Sequence, residues 1–211
     1  MHKECYLKHK KQVAKWMRRL YDKGLTTSLG GNISYRLDEH HIAITASETD
    51  KGRIKAEQIA VVTMNGQVVE PAVKISMETA MHIAIYNKRP DVKCIVHAHP
   101  PMGSVFAVMK QELNTTLLAE AYTIIGRPAV AEYAVPGSEQ LAINVAKSAK
   151  ESNVVLMANH GVLAVGESLL KAFDRIEVLE NAAKMTFITQ LLNDKQELTK
   201  DQLNDLDRLF S

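Results

Sequence analysis

Two histidines at the end of an apolar run are the residues best suited to chemistry in this sequence. The segment "IVHAH" covers residues 95–99, and Pro100 and Pro101 follow it. Side chains at positions i and i+2 of a β-strand point to the same face of a sheet, so His97 and His99 can reach one metal ion. Alternatively, they are ordinary hydrogen-bonded imidazoles on a half-buried strand. A metal site requires further ligands elsewhere in the chain.

Two other parts of the chain offer such ligands. His160 lies in "MANHGV", at a tight turn after an apolar strand, where Gly161 allows a close approach of the backbone. Glu78 lies near the start of a predicted helix, and His82 follows four residues later on the same helical face, as a competing ligand. Each has an ordinary alternative. His160 fits a loop residue, and Glu78 fits a first-turn carboxylate that complements the helix dipole behind a Ser76 cap.

Three neutral imidazoles and one carboxylate are a ligand set that suits zinc or another borderline divalent ion. A structural site holds all four ligands permanently, whereas a catalytic site has an open position or a ligand that can leave. Glu78 is the ligand best able to leave and then to act as acid or base. Spacing alone does not show that Glu78, His97, His99 and His160 converge.

The elements that must position these side chains follow from the apolar pattern. Predicted helices cover about 6–23, 76–87, 100–110, 137–150 and 168–192, with a short polar helix after them. Predicted strands cover about 32–37, 41–47, 59–64, 67–70, 92–97, 153–158 and 162–165, and a loop-rich stretch runs from the third helix to Pro136. Strands that are joined by hairpins and interspersed with helices predict a largely antiparallel sheet with helices packed on it.

Composition restricts the class of protein. The 211 residues are 46% hydrophobic and 24% charged, which is typical of one globular domain over 1–211. A net charge of +2 is too small to indicate nucleic-acid binding, and the apolar runs are far shorter than the roughly 20 residues that span a membrane. Cys5 and Cys94 form no disulfide framework, and no targeting segment is recognisable, so we expect a cytoplasmic protein.

Five segments carry a family resemblance. They are "GLTTSLGGNIS" (24–34), "ITASETDKGRI" (44–54), "ISMETAMHIAIYNKRPDVKCIVHAHPP" (75–101), "EYAVPGSEQL" (132–141) and "LMANHGVLAVG" (156–166). In this order they resemble the class II aldolase/adducin head family, and within it the L-fuculose-phosphate aldolase type. The resemblance covers about residues 10–190.

The resemblance implies a fold, an assembly and a reaction. The fold is an α/β class, three-layer α/β/α sandwich around a mainly antiparallel sheet, and family members are commonly homotetramers with sites between subunits. His97, His99 and His160 match the zinc ligands, and Glu78 matches the glutamate that ligates zinc at rest and acts as acid and base. The implied reaction is reversible cleavage of a ketose 1-phosphate into dihydroxyacetone phosphate and an aldehyde.

The resemblance is weaker at the phosphate site. The positions that match the family's phosphate-binding pattern are Gly31, Asn32, Ser47 and Ser76. Leu29 replaces an expected threonine, Glu48 a glycine and Met77 a serine. Glu48 adds a charge that repels phosphate unless Lys51 or Arg53 offsets it. A smaller, differently bound or unphosphorylated substrate therefore stays open.

The resemblance also implies a catalytic tyrosine that a neighbouring subunit supplies from residues 114–128. Tyr122 is the candidate, and Glu120 competes with it. The alternative for both residues is a place at a subunit interface or at the edge of the core. Tyr133, before the Pro136–Gly137 turn, is expected to be structural.

Three other functions are weighed. An epimerase of the same family is disfavoured because the C-terminal segment "LTKDQLNDLDRLFS" contains neither histidine nor tyrosine. A methylthioribulose-phosphate dehydratase, which uses the metal to eliminate water, stays open. An adducin-like structural module is disfavoured because all four candidate ligands are present. We therefore expect a zinc-dependent enzyme that acts on a small sugar or sugar phosphate.

Overall fold

The computed structural model describes residues 2–70, 74–109 and 111–210, apart from the side chains of residues 2–5. The strands are β1 (Asn32–Arg36), β2 (His41–Thr45), β3 (Ile59–Thr63), β4 (Val68–Glu70), β5 (Cys94–Ala98), β6 (Ala129–Ala131), β7 (Val154–Met157) and β8 (Gly161–Gly166). The helices are α1 (His2–Asp22), α2 (Thr79–Lys88), α3 (Pro101–Val108), α4 (Ala119–Ile125), α5 (Glu139–Glu151), α6 (Leu169–Leu192) and α7 (Lys200–Phe210).

All eight strands form one sheet in the order β4-β3-β2-β1-β5-β8-β7-β6. Neighbouring strands are antiparallel except β6 and β7, which are parallel. The β3–β4 hairpin turns at Asn65 and Gly66, and Gly66 has the positive φ of 85° that this turn requires. The prediction of a mainly antiparallel sheet is confirmed.

Helices cover both faces of the sheet, so β5, β7 and β8 are buried along their whole length. In β5, Cys94 and Val96 pack into the core beneath α1, α3, α4 and α6, whereas Ile95 packs into the core beneath α2 and α5. This alternation follows from the two-residue period of a strand. The three-layer α/β/α arrangement expected from the resemblance is confirmed.

The loop predicted before Pro136 contains two elements, so that part of the prediction is wrong. Helix α4 is seven residues long and β6 is three residues long. Neither element is long enough to establish a period in the sequence, and packing holds α4 through the buried side chains of Ala121 and Ile125. Lys110, the predicted end of α3, lies outside the described residues, and α3 ends at Val108.

The last two helices leave apolar surface uncovered. Leu191 and Leu192 at the end of α6 are 75% and 68% exposed, and Leu209 and Phe210 of α7 are also exposed. Helix α7 packs against α4 and buries none of its residues. Among the described helices, none is both long and apolar enough to cross a membrane.

Candidate metal centre

The candidate ligands meet at one end of the central strands β1, β5 and β8. Strand β1 begins beside the end of β5, because the two strands are antiparallel and Asn32 pairs with His97. His99 follows β5 directly, and His160 lies in the short turn between β7 and β8. The side chains of His97 and Glu78 are almost completely buried. The site therefore lies where two strand ends, a turn and the start of α2 meet.

Glu78 precedes α2 as its N-cap residue and does not lie within the first turn. The alternative of a first-turn carboxylate behind a Ser76 cap does not hold, although the Ser76 hydroxyl accepts a hydrogen bond from the Glu78 N–H at 3.2 Å. The Glu78 carboxylate points towards β1 and β5. Asn32 Nδ2 donates to Glu78 Oε2 at 2.7 Å. His97 Nε2 lies 3.3 Å from Oε2, and His160 Nε2 lies 3.2 Å from Oε1.

The three histidines present nitrogen atoms to the same space. Ligand atoms of His97, His99 and His160 all lie within 4.8 Å of one another, and the Nε2 atoms of His97 and His99 are 3.1 Å apart. His97 Nδ1–H donates to the carbonyl of Val162 at 2.9 Å, so the neutral ring keeps its lone pair on Nε2. Lone pairs and carboxylate oxygens at such distances repel one another unless a proton or a metal ion lies between them.

The observed separations fit a divalent ion. Tetrahedral zinc with bonds of about 2.0–2.1 Å holds neighbouring ligand atoms about 3.3–3.4 Å apart. The separations from His97 Nε2 and His160 Nε2 to the Glu78 oxygens are 3.3 and 3.2 Å. Glu78 Oε1 is buried and has no hydrogen-bond partner among the described residues. The donor atoms therefore suit zinc or a similar borderline ion.

Electrostatics keep these groups in the protonation states that a metal requires. Burial lowers the pKa of His99 to about 4 and also lowers the pKa of His160, so both rings are neutral at pH 7. Burial alone would raise the pKa of Glu78. However, His97, the Asn32 hydrogen bond and His160 together hold that pKa below its usual value, and the carboxyl group is ionised.

His82 binds Asn32 and Ser34 and is not part of the histidine cluster, so the alternative in which it competes as a ligand is not supported. Its ring is fully buried, and Nε2–H donates to Asn32 Oδ1 at 2.5 Å. Its Nδ1 lies 2.7 Å from the Ser34 hydroxyl, which is 2.8 Å from the Tyr86 hydroxyl. Burial lowers the pKa of His82 to about 3, so the ring is neutral and uses one nitrogen to donate and one to accept.

This chain of hydrogen bonds orients the Asn32 amide. With its oxygen bound by His82, Asn32 turns its NH₂ group to Glu78. Sequence reasoning missed Ser34 and Tyr86, since nothing in the sequence indicated which strand faces α2. The signal that the sequence did offer for His82 was its four-residue spacing from Glu78, which placed both side chains on one side of the predicted helix.

The candidate ligands line a cavity of about 150 Å³. The residues predicted to bind phosphate line the same cavity and are Gly31, Asn32, Ser47 and Ser76. Leu29 and Met77 also line it, and each is 65% exposed. The Asn32 amide, predicted as a phosphate ligand, contacts Glu78. Within one chain, metal-binding and phosphate-binding candidates therefore share one cavity.

Two glycines allow the backbone to approach the histidines. Gly31 has a φ of 66°, and a Cβ there would lie 2.7 Å from the carbonyl oxygen of His97. At Gly161, a Cβ would lie 2.5 Å from His99 Cδ2 and 2.6 Å from the carbonyl oxygen of Ala98. Any other residue at either position would displace the chain that holds the ligands.

Glu48 has a backbone φ of 54°, in the left-handed region where glycine is preferred. The cation that offsets Glu48 is Lys74, at 2.5 Å, and neither Lys51 nor Arg53. Arg53 lies 3.9 Å from Asp50, and Lys51 is buried. Lys74 therefore offsets the charge of Glu48 at the surface, and Lys51 forms no ion pair with Glu48.

Tyr122 lies away from the cavity within one chain. It is on α4, its side chain is solvent-accessible, and its hydroxyl donates to Asp207 of α7 at 3.1 Å. Neither Tyr122 nor Glu120 is among the residues that line the cavity. Tyr133 is 57% exposed. A role for Tyr122 in the chemistry therefore requires a second subunit.

Comparisons with known proteins agree with this geometry. Residues 11–187 match the family described as class II aldolase and adducin N-terminal domain. The 3-oxo-tetronate 4-phosphate decarboxylase of Haemophilus influenzae is 32% identical over 189 residues, covering 87% of this chain and 89% of the decarboxylase. The L-fuculose phosphate aldolase of Methanocaldococcus jannaschii is 31% identical over 183 residues, covering 87% and 98%. A solved L-fuculose 1-phosphate aldolase superposes with a TM-score of 0.87, at 33% identity and 95% coverage of both chains.

Proposed function

This chain belongs to the class II aldolase and adducin N-terminal domain family, and we propose that it is a metal-dependent aldolase. Its reaction is the reversible cleavage of a ketose 1-phosphate, of the fuculose 1-phosphate kind, into dihydroxyacetone phosphate and an aldehyde. The observation that most supports this proposal is the buried Glu78 carboxylate, which lies 3.2–3.3 Å from two imidazoles of the histidine cluster. An adducin-like structural module has no need for such a costly buried cluster.

His97, His99, His160 and Glu78 are the residues that would hold the ion, and zinc is the ion we propose. The bound ion supplies a Lewis acid for the negative charge that develops on substrate oxygen when the C3–C4 bond breaks. The protein must then move two protons: one leaves the C4 hydroxyl and one is delivered to C3 of the remaining enediolate.

Glu78 suits the proton transfer at C3. It is ionised, it faces the cavity, and only its Oε2 is anchored by the Asn32 amide. A carboxylate with one free oxygen can take up a proton and return it at carbon. The lowered pKa of Glu78 keeps it ionised, so in the direction of synthesis it can take the proton from C3 of dihydroxyacetone phosphate. Cleavage is the reverse of this transfer, in which the protonated carboxyl group returns the proton to C3.

Tyr122 suits the proton transfer at the C4 oxygen, provided that a neighbouring subunit supplies it. Its side chain is accessible, and its hydrogen bond to Asp207 raises the pKa of the phenol, which keeps it protonated. In the direction of synthesis the phenol can therefore donate its proton to the aldehyde oxygen that becomes the C4 hydroxyl, and cleavage is the reverse of this transfer. The proposal therefore includes a homo-oligomer, a tetramer by family resemblance. It also includes a reducing cytoplasm, which suits the buried free thiol of Cys94.

A second candidate reaction is decarboxylation of a 3-oxo-tetronate 4-phosphate. It is favoured by the sequence identity to the Haemophilus influenzae decarboxylase, which is 32%, against 31% to the fuculose phosphate aldolase of Methanocaldococcus jannaschii. Both reactions break a carbon–carbon bond next to a carbonyl-stabilised carbanion, so the same ligand cluster serves either. The two differ in what leaves: an aldehyde or carbon dioxide.

The test measures both products with zinc-loaded protein. Dihydroxyacetone phosphate is assayed from a panel of ketose 1-phosphates, and carbon dioxide from a 3-oxo-tetronate 4-phosphate, with a chelator-treated sample as the control. We expect zinc-dependent release of dihydroxyacetone phosphate and little carbon dioxide. Carbon dioxide from the 3-oxo-tetronate 4-phosphate, with dihydroxyacetone phosphate as its co-product, and no dihydroxyacetone phosphate from the ketose 1-phosphates would assign the decarboxylase. Turnover of neither substrate class by zinc-loaded protein would overturn both assignments.

A further inference from the structure

Lys51 is a buried cation in the wall of the cavity. Its side chain is 1% exposed and lines the cavity together with Ser47 and Ser76. Its Nζ donates to the carbonyl of Ala46 at 2.5 Å and to the Thr49 hydroxyl at 3.1 Å. An ammonium group has three N–H donors, so two contacts leave one donor for another acceptor.

The acids nearest to Lys51 in sequence are engaged elsewhere. Glu48 pairs with Lys74 and Asp50 with Arg53, at 2.5 and 3.9 Å. No carboxylate oxygen of the described residues lies within 4.0 Å of Lys51 Nζ. A buried ammonium without an anion is costly, which is why lysine is almost never fully buried unless it is paired. Burial accordingly lowers the pKa of Lys51 to about 8.

An anion in the cavity would remove this cost. The family pattern places hydroxyl groups and a glycine around the substrate phosphate, and this chain has Leu29, Glu48 and Met77 at three of those positions. Two hydroxyl donors are thereby absent from the cavity wall. Lys51 adds a charged donor to the same wall, and a charge-assisted hydrogen bond is roughly twice as strong as a neutral one.

We propose that Lys51 binds the phosphate of the substrate and is the residue that makes this enzyme prefer phosphorylated over free sugars. This assignment rests on the proposed function, because it takes the sugar phosphate of that reaction as the ligand. Ser47, Ser76 and the backbone at Gly31 complete the phosphate site. The charge of Lys51 compensates for the hydroxyl groups absent at positions 29 and 77.

The test compares two ligands that differ only in a phosphate, 2-phosphoglycolate and glycolate. Calorimetric titrations of zinc-loaded wild type, Lys51→Met and Lys88→Met give the dissociation constants. We expect wild type to prefer phosphoglycolate by about 10-fold or more, and Lys51→Met to lose at least about 10-fold in phosphoglycolate affinity. Glycolate affinity should change little. Lys88→Met is the matched control, because it removes an exposed cation in the last turn of α2, outside the cavity wall, and it should keep the preference.

Lys51→Gln is measured in parallel, because its amide keeps a donor for the carbonyl of Ala46. This second variant keeps the test valid if Lys51→Met fails to fold. Unchanged phosphoglycolate preference in a folded Lys51 variant, or no preference in wild type, would overturn the proposal. The binding assay needs no turnover. If the Lys51 variants lose the phosphoglycolate preference but the protein has no aldolase activity, this inference stands and the proposed function is overturned. If the protein is an aldolase but the Lys51 variants keep the preference, the proposed function stands and this inference is overturned.

Discussion

The two oxygens of Glu78 have different environments, and this difference suits the acid–base role that we propose for the residue. Oε2 accepts a hydrogen bond from Asn32, whereas Oε1 has no hydrogen-bond partner in the described part of the chain and lies 3.2 Å from His160 Nε2. The Asn32 contact anchors the carboxylate near the histidines. The other oxygen is available to a metal or to a proton, which is what a ligand with a second, acid–base role requires.

Glu78→Gln separates these two roles. Three imidazoles remain in the variant, so we expect it to fold and retain zinc. Its turnover of ketose 1-phosphate should fall at least about 100-fold, because an amide cannot transfer the proton. Zinc content and release of dihydroxyacetone phosphate measure the two effects, with Glu132→Gln at an exposed position as the control. Normal turnover with zinc bound would remove Glu78 from the mechanism.

His82→Leu tests the residues behind Glu78. The change leaves Asn32 and Ser34 without their partner, which costs about 1–3 kcal/mol in unfolding free energy. Because Asn32 is then free to rotate away from Glu78, zinc affinity or turnover should also fall about 10–100-fold. His82→Gln, which can both donate and accept, should recover part of the loss. Ile85→Val, a destabilising change on the same helix, should leave zinc affinity unaltered; an equal loss there would mean that stability alone is responsible.

The candidate site was only partly predictable from individual residues. The two-residue spacing of His97 and His99 gave their common face, because strand period is a local property. The convergence of Glu78 and His160 on that pair depends on contacts between distant segments, and only the family resemblance indicated it. The role of His82 was left open because helical spacing showed its nearness to Glu78 but not the partners of its ring.

At the scale of the elements, the pairing register at the ends of the strands fixes the positions of the candidate ligands. His97 is the fourth residue of β5, whose register with β1 and β8 places it opposite Asn32 and Leu163. His160 sits in a turn whose neighbour Asn159 has a φ of 53°, and β8 begins at Gly161. The turn can bring His160 to His97 only because no side chain at position 161 lies between the two segments.

Gly161→Ala should therefore damage the site by steric conflict. Its Cβ would lie 2.5 Å from His99 Cδ2, so the ring must move, and we expect zinc affinity to fall at least about 10-fold. Gly24→Ala is the control: it forces alanine into a φ of 68° with no atom within 4 Å, and should cost about 1–2 kcal/mol of stability without changing zinc affinity. Wild-type zinc affinity in Gly161→Ala would show that the turn tolerates displacement.

At the scale of the whole molecule, the cavity of one chain does not contain all the proposed catalytic groups. Tyr122 lies on α4 beside α7, away from the cavity, and the apolar ends of α6 and α7 are exposed. Exposed apolar surface of this kind is typical of subunit contacts. An assembly in which α4 of one subunit approaches the cavity of the next would account for both features.

Complementation between two variants tests this arrangement. Glu78→Gln and Tyr122→Phe should each be nearly inactive alone, because each oligomer lacks one group at every site. Refolding an equal mixture should restore about a quarter of wild-type activity, since about a quarter of the sites then receive both intact residues from different chains. No recovery in mixed oligomers, or full activity of Tyr122→Phe alone, would contradict a shared site.

Most of the fold was predictable because its signals are local. Long amphipathic helices such as α6 and the Asn65–Gly66 hairpin show their period or turn chemistry within a short window. Strand β6 was missed because its three residues are held by parallel pairing with β7, a partner on the far side of α5. Helix α4 was missed for a related reason, since contacts with α6 and α7 stabilise seven residues that have little helical pattern of their own.

The central claim is that His97, His99, His160 and Glu78 form one metal site, and zinc binding by metal-free protein tests it most directly. Titration against a chromophoric chelator should give one zinc ion per chain for wild type. Replacing any one of the three histidines by alanine should weaken binding by orders of magnitude, because each provides a nitrogen to the same space. Absence of zinc binding by wild type, or wild-type affinity in the histidine variants, would contradict the account.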